Sequence, residues 1–101
     1  MQSFCALLGL VALLSALAAP AADINKGKEV YRDHCANCHG DTGRPEFPDA
    51  PNLRRGEGLS KSDVELARDL KNGIMGMPAY RGVLTEQEIL DVVAYTRSLR
   101  R

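Results

Sequence analysis

The chain has 101 residues with 13 acidic and 13 basic side chains, so its formal net charge is zero. This balance excludes the overall positive field that would favour nucleic acid or an anionic membrane as a partner. The length allows one small domain, which struggles to bury enough apolar surface by itself.

The first stretch of the chain predicts an export signal. Residues 4–17 are almost wholly apolar, and Ala16-Leu17-Ala18 and Ala19-Pro20-Ala21 are A-x-A-like cleavage sites. The run is short and rich in alanine for a membrane span, although no Lys or Arg precedes it, and a retained anchor is the alternative. We predict a cleaved signal peptide over 1–22, a periplasmic mature domain over 23–101, and no stable membrane insertion after cleavage.

A first helix is predicted to begin after Asp23, which is a favourable capping residue. One stripe at helical spacing contains Ile24, Gly27, Tyr31, Cys35 and Cys38. A glycine inside a helix costs about 1 kcal/mol relative to alanine. Gly27 therefore indicates a close crossing of two helices, and a tolerated glycine in a solvated turn is the alternative.

The most informative stretch is Cys35-Ala36-Asn37-Cys38-His39. Thiols three positions apart share a helix face, and C-x-x-C-H is the attachment signature of a c-type haem. Each thiol would form a thioether with a haem vinyl group, and His39 Nε2 would bind the iron. We predict one haem c per chain, covalently held through Cys35 and Cys38. Loss of Cys5 with the signal peptide leaves these two cysteines alone.

Two alternatives for this motif need features that the sequence lacks. A thioredoxin-like C-x-x-C requires a preceding strand, and no strand pattern precedes Cys35. A structural zinc site requires four ligands, usually from two separated pairs, and no second Cys or His pair is present.

The loop over residues 40–58 is too rich in glycine and proline for a long helix or a central strand. A loop of this length needs a function, and wrapping the haem edge would be one. Within it, Leu53 would pack on the porphyrin, and the Pro51 carbonyl would accept the second ring N–H of His39. A plain loop turn at Pro51-Asn52-Leu53 is the alternative.

A second helix is predicted from a capping box between Ser62 and Glu65, and Gly73 is expected to end it. Its inward stripe would be Val64, Ala67, Leu70 and Ile74.

Residues 73–80 form a glycine- and proline-containing strap that could carry a thioether to the iron face opposite His39. Met77 is the better candidate for the second axial ligand, because Pro78 stiffens the backbone beside it and Gly76 allows close approach. Met75 is the rival, and the alternative is that both are ordinary core methionines.

The last helix is predicted to begin at Thr85, with a capping box to Glu88. Its inner face would be Ile89, Val92, Val93, Thr96 and Leu99, with Tyr95 on the flank. We interpret Arg97, Arg100 and Arg101 as a solvated end matched to the helix dipole rather than as a docking patch.

Residues 23–99 resemble a class I cytochrome c of the small bacterial monohaem type. The residues that carry the resemblance are Gly27, Tyr31, the Cys35–Gly40 motif, Pro51-Asn52-Leu53, Met77-Pro78 and Tyr95. The resemblance implies an all-α fold with three main helices wrapped around one covalent haem. It also implies that the first and last helices cross near Gly27 and Tyr95, with His39 and Met77 as axial ligands.

These features predict a one-electron carrier of positive potential rather than an enzyme. Its redox partners would dock briefly at the haem edge near Ala36, the Pro51 loop and the Met77 strap. The second hypothesis is a haem subunit of a periplasmic dehydrogenase complex, and the third is an enzyme or gas sensor with an open iron position. The sequence leaves open the donor, the acceptor and the choice between monomer and subunit.

Overall fold

The secondary structure of the chain is helical. A computed structural model describes residues 21–101, so most of the predicted signal peptide lies outside the described residues. The helices are α1 (Ile24–His34), α2 (Ala36–His39), a 3₁₀ helix (Leu53–Arg55), α3 (Asp63–Asn72) and α4 (Glu86–Ser98). Isolated bridges join Ile74 to Met77 and Arg81 to Leu84, and residues 21–101 contain no strand. The predicted all-α fold is confirmed. None of the helices in residues 21–101 has the length and hydropathy that a bilayer span requires.

Helices α1 and α4 cross in close contact, as Gly27 predicted. A Cβ at Gly27 would lie 2.1 Å from the Asp91 carbonyl oxygen and 3.0 Å from Tyr95 Cβ. Beside this crossing, the rings of Tyr31 and Tyr95 meet edge to face with centroids 5.2 Å apart. The glycine therefore lets the two backbones approach as no larger residue would, and it fixes the helix that leads into the cysteine motif.

Helix α1 is shorter than the predicted stripe. It ends at His34, Cys35 is its C-cap, and Cys38 belongs to the separate short helix α2. Ile24 was predicted to face inward, but its side chain is 49% exposed. The N-cap prediction is confirmed, since the Asp23 side chain accepts a hydrogen bond from Lys26 N.

Helix α3 begins and ends where predicted, but fewer of its residues face inward than the predicted stripe contained. Ser62 Oγ accepts from Glu65 N, while the return bond that would complete a capping box is not formed. Val64 was expected inside and is 69% exposed, whereas Ala67 is buried. Gly73 ends the helix with φ +78°, which a side chain would disfavour.

Helix α4 begins with the predicted reciprocal capping box between Thr85 and Glu88. Its buried face includes a carboxylate that the apolar pattern did not indicate. Asp91 is 2% exposed and accepts from Asp23 N at 2.8 Å and from Gln87 Nε2 at 2.8 Å. This carboxylate therefore fastens the start of α1 to the middle of α4.

The core is built mainly from α1, α4 and the loops between them. Its buried apolar side chains are Val30, Tyr31, Leu53, Leu59, Ala67, Leu84, Ile89, Val92 and Val93. Partly buried side chains pack around it, namely Cys35, Ala36, Leu66, Leu70, Tyr80, Tyr95 and Leu99. Because Cys35 and Ala36 belong to this set, the cysteine motif lies at the edge of the core.

Candidate haem site

The cysteine motif occupies the junction between α1 and α2. Cys35 N donates to the Tyr31 carbonyl, while the Cys35 carbonyl accepts from Cys38 N and from His39 N at 3.0 Å. Gly40, with φ +78°, then caps α2. A single turn of helix thus displays both sulfurs and the imidazole, held at each end by backbone hydrogen bonds.

The two cysteines are free thiols in different surroundings. Cys35 is partly buried and Cys38 is exposed. The pKa of the Cys35 thiol is raised to about 11, mainly by burial and to a smaller extent by the neighbouring Cys38. The Cys35 thiol is therefore protonated near neutral pH, unlike the low-pKa cysteine of a dithiol redox enzyme.

His39 is partly buried, and burial lowers its pKa below the ordinary value of 6.5. The Pro51 carbonyl lies close enough to oppose that shift. Nδ1 of His39 is buried and has no hydrogen-bond partner in residues 21–101, so its contact with the Pro51 carbonyl falls short of hydrogen-bond geometry. The imidazole is therefore neutral at pH 7, which is the form that can bind a metal.

The loop after the motif folds back onto it. Glu46 N and Phe47 N donate to the Cys38 carbonyl at 2.9 and 3.1 Å, and Leu53 N donates to the Gly43 carbonyl at 2.9 Å. Leu53 is buried in the core at 6% exposure. The Pro51-Asn52-Leu53 segment is thus ordered beside His39, and packing of Leu53 on a porphyrin stays a prediction.

Tyr31 connects the helix crossing to the motif. Its hydroxyl donates to the Gly40 carbonyl at 2.6 Å, and the side chain is 2% exposed. Burial is the largest cause that raises the pKa of this phenol, so the hydroxyl stays protonated and keeps its donor. This hydrogen bond fixes the residue that follows His39.

The strap turns tightly at Ile74–Met77, where Ile74 N donates to the Met77 carbonyl and Met77 N to the Ile74 carbonyl. The central residues Met75 and Gly76 have φ of +48° and +89°, as a type I′ turn requires. Met75 is 98% exposed, whereas Met77 is partly buried. The turn conformation requires a glycine at position 76, and no atom of residues 21–101 lies within 4 Å of its would-be Cβ. Close approach to the iron, the reason given for Gly76 from the sequence, stays a prediction.

Tyr80 joins the strap to the cysteine motif, a role that was not predicted from the sequence. Its hydroxyl donates to the His34 carbonyl at 3.0 Å, and its ring lies edge-on to the His34 ring. Burial raises the pKa of Tyr80, and Cys35 and Cys38 add to the shift because they lie nearby. The only sequence signal was an aromatic residue three positions after Met77.

The two alternatives for the motif do not fit this geometry. The residues before Cys35 form a helix, whereas a thioredoxin-like motif follows a strand. Within residues 21–101, no three side chains among His, Cys, Asp and Glu converge to hold a metal ion. A zinc site therefore lacks its ligands in the described part of the chain.

The sequence matches one protein family over residues 22–95, described as cytochrome c oxidase, cbb3-type, subunit III. The chain belongs to this family of cytochromes c. It is a small class I cytochrome c, as the motif order predicted. Class I cytochromes c carry covalently bound c-type haem, and this chain is a haem electron carrier.

Relatives of similar length are cytochromes c6. A cytochrome c6-like protein of Nostoc is 33% identical over 94 residues, covering 82% of this chain and 78% of that protein. Cytochrome c6 of Thermosynechococcus vestitus is 35% identical over 91 residues, covering 84% and 80%. The cbb3-type oxidase subunit CcoP of Azospirillum is 34% identical over 94 residues, which cover 85% of this chain. The chain spans only 32% of that longer subunit.

Solved structures share the fold. The c-type cytochrome KustC0563 has a TM-score of 0.66 at 26% identity, covering 74% of this chain and 98% of that one. A cytochrome c6 of the diatom Phaeodactylum tricornutum has a TM-score of 0.63 at 24% identity, covering 76% and 93%. The residues of the motif fit the group that this family carries, because two free thiols and a neutral imidazole stand on one turn of helix at the edge of the core.

Proposed function

We propose that this chain is a one-electron carrier with a single haem c, attached through Cys35 and Cys38 and ligated by His39 and Met77. The observation that carries the proposal is the arrangement around the cysteine motif. The motif stands at the α1–α2 junction, and the Tyr80 hydroxyl ties the methionine strap to the carbonyl of His34, one residue before Cys35.

Each residue would have a distinct task. The thiols of Cys35 and Cys38 would anchor the group, and His39 would bind its iron through Nε2. The carbonyl of Pro51 would orient the imidazole through Nδ1, and Leu53 would exclude water from the porphyrin face. Met77 is favoured over Met75 as the second ligand, since Met77 is partly buried and Met75 points into solvent.

The haem, when bound, supplies an iron that gains and loses one electron. Two fixed ligands from the protein would leave little to rearrange on reduction. A thioether ligand and apolar surroundings both favour the reduced state, so we expect a positive midpoint potential. The chain would act after export and removal of residues 1–22, with redox proteins in the periplasm as transient donors and acceptors.

The attachment is tested by expression with a c-type cytochrome maturation system, followed by a haem-stained denaturing gel. We expect a stained band for the wild-type chain, and loss of stain for the double variant Cys35→Ser with Cys38→Ser. The variant Asp33→Ser, on an exposed turn of α1, is the control and should stain fully. A wild-type band without stain would refute covalent attachment.

The second ligand is tested by adding carbon monoxide to the reduced protein at neutral pH. The wild type should not bind it, Met77→Ala should bind it, and Met75→Ala should behave as the wild type does. If Met75→Ala alters the spectrum and the potential while Met77→Ala alters neither, the ligand assignment is wrong. Binding by the wild type would favour the open-site enzyme or gas sensor instead.

A second candidate function is a haem subunit of a larger redox complex. It is favoured by the description of the matching family as an oxidase subunit and by the Azospirillum relative. Purification from the native membrane and periplasm at moderate salt distinguishes the two. Recovery in a stable complex would favour the subunit, and recovery as a free monomer would favour the shuttle.

A further inference from the structure

A groove of about 550 Å³ lies on the face formed by the Pro51 loop and the C-terminal residues. Four arginines and one asparagine line it: Arg44, Asn52, Arg54, Arg55 and Arg101. We call it the arginine groove. Because the whole chain is neutral, this local concentration of positive charge is uneven and calls for an explanation.

The backbone beneath the arginine groove is held by hydrogen bonds. Arg101 N donates to the Arg54 carbonyl at 2.8 Å, so the end of the chain is fastened to the loop. Arg55 N donates to Asn52 Oδ1 at 3.2 Å, and Asn52 N donates to the Glu57 carboxylate at 2.8 Å. The guanidinium groups therefore extend from an ordered base.

Gly56 brings a fifth cation to the same face. A Cβ at this position would lie 2.8 Å from Arg100 Nε, so the arginine side chain lies directly over the glycine.

The arginines of the groove form no ion pair within residues 21–101. The ion pairs within residues 21–101 join Lys26 to Glu29, Lys61 to Asp69, Lys71 to Glu86 and Arg97 to Asp63. No side chain of the arginine groove belongs to these pairs or donates a hydrogen bond to another residue of this range.

Arg97 shows the contrast with the groove. It donates to Asp63, to the Leu59 carbonyl and to the Lys61 carbonyl, and so it fastens α4 to the start of α3. The interpretation of the C-terminal arginines as a solvated end is therefore wrong for Arg97, whereas Arg100 and Arg101 are exposed, as that interpretation expected.

The arginine groove borders the proposed haem site. Arg54 and Arg55 directly follow Leu53, and Asn52 follows Pro51, whose carbonyl lies beside His39. Arg44 follows Gly43, where a Cβ would lie 2.9 Å from Arg54 N and 3.2 Å from Leu53 Cβ. An anionic surface seated in the groove would thus lie against the same loop that borders the imidazole.

We propose that the arginine groove is the docking surface for a carboxylate-rich face of a redox partner protein. The proposal rests on the proposed electron-carrier function, for which it specifies the partner's chemistry. Guanidinium groups bind carboxylates through two parallel hydrogen bonds, and they stay charged at every physiological pH. Charges at the rim of an interface mainly speed association, which suits a short-lived encounter.

A protein partner fits the groove better than a membrane does. Helices and loops that bind a membrane surface insert apolar side chains beside their basic ones. Every residue that lines the arginine groove is polar, and four of the five are charged. The groove is also concave, so a projecting acidic segment reaches several guanidinium groups at once.

The test uses the matured, haem-loaded protein and two variants with the same loss of charge. Arg44→Gln with Arg55→Gln removes two exposed groove charges, and Lys28→Gln with Arg32→Gln removes two exposed charges from α1. Hexaglutamate is titrated into each protein at low salt while amide chemical shifts are recorded. We expect wild-type shifts centred on residues 44–57 and 100–101, and binding about fivefold weaker in the groove variant but not in the control.

The same proteins are oxidised from the reduced state by hexacyanoferrate(III), a multivalent anion, over a range of ionic strength. One electron passes from the protein to each hexacyanoferrate(III), giving hexacyanoferrate(II). The wild-type rate should fall as salt is added, and the groove variant should react about threefold more slowly at low salt than the control variant does.

Four results would overturn the docking proposal. They are no hexaglutamate shifts at the groove, equal binding by both variants, binding of inorganic phosphate as tight as that of hexaglutamate, and binding to phosphatidylglycerol vesicles without binding to hexaglutamate. A changed midpoint potential or visible spectrum in the groove variant would also overturn it, because the arginines would then serve the cofactor itself. A wild-type protein without haem would refute the proposed function, while the hexaglutamate titration would still report on the groove.

Discussion

The crossing at Gly27 allows a sharp test of how the fold positions the site. In Gly27→Ala the new methyl group would lie 2.1 Å from the Asp91 carbonyl oxygen and 2.6 Å from its carbonyl carbon. Both atoms belong to the backbone of α4, so no side-chain rotation relieves the clash. The helices must separate by about 1 Å, which also disturbs the packing of the two tyrosine rings.

The expected cost follows from two opposing effects. Overpacking of a core typically costs about 1–3 kcal/mol, and a backbone clash belongs at the upper end of that range. Alanine recovers about 1 kcal/mol of helix propensity relative to glycine. The free energy of unfolding should therefore fall by about 2 kcal/mol, which in a domain of this size lowers the melting temperature by roughly 8–16 °C.

The assay is urea and thermal unfolding of the haem-loaded protein, followed by circular dichroism at 222 nm. Lys28→Ala, on the exposed side of the same helix, is the control and should change the free energy of unfolding by less than about 0.5 kcal/mol. A Gly27→Ala protein as stable as the wild type would show that the crossing is not as tight as described.

Three further predictions concern the hydrogen bonds that fasten the fold. Tyr31→Phe should cost about 1–2 kcal/mol, because it leaves the buried Gly40 carbonyl without its donor. Since the folded pKa of Tyr31 lies above its ordinary value of 10.0, the wild type should lose stability as pH rises through 10, and the variant should lose less on alkaline urea titration. Asp91→Ala should cost about 2–3 kcal/mol on thermal unfolding, and Asp91→Asn less, because the amide oxygen can still accept from Asp23 N. Thr85→Ala should cost about 1 kcal/mol in urea. Equal stabilities of the Ala and Asn variants of Asp91 would contradict the role given to its acceptor oxygen.

The helix boundaries were predictable because they depend on local chemistry. Asp23 and Thr85 cap α1 and α4 through side-chain hydrogen bonds to residues three positions away, as their spacing indicated. Gly73 ends α3 because its backbone has a positive φ, which glycine adopts without the steric cost that a side chain would add.

Burial was less predictable, because it depends on what the rest of the chain places nearby. Ile24 and Val64 fit the helical period of the apolar residues, yet each lies in the first turn of its helix and faces solvent. Asp91 breaks the apolar pattern, yet it is buried because the N–H of Asp23 and an amide of Gln87 reach its carboxylate. The contact between Asp91 and Asp23 joins residues 68 positions apart, which a helical period does not indicate.

The chemistry of the site was predicted from the sequence alone, since C-x-x-C-H at Cys35, Cys38 and His39 is a local motif that indicates haem attachment without any coordinates. The hydrogen bond by which Tyr80 fastens the strap beside His34 became visible only in the folded chain. The tertiary structure also separated Arg97, which is used inside the fold, from Arg101, which lines a groove with arginines of the Pro51 loop. The physical reason is range: thioether chemistry and helix caps act over a few residues, whereas burial and charge clustering arise when loop closure joins segments about 50 residues apart.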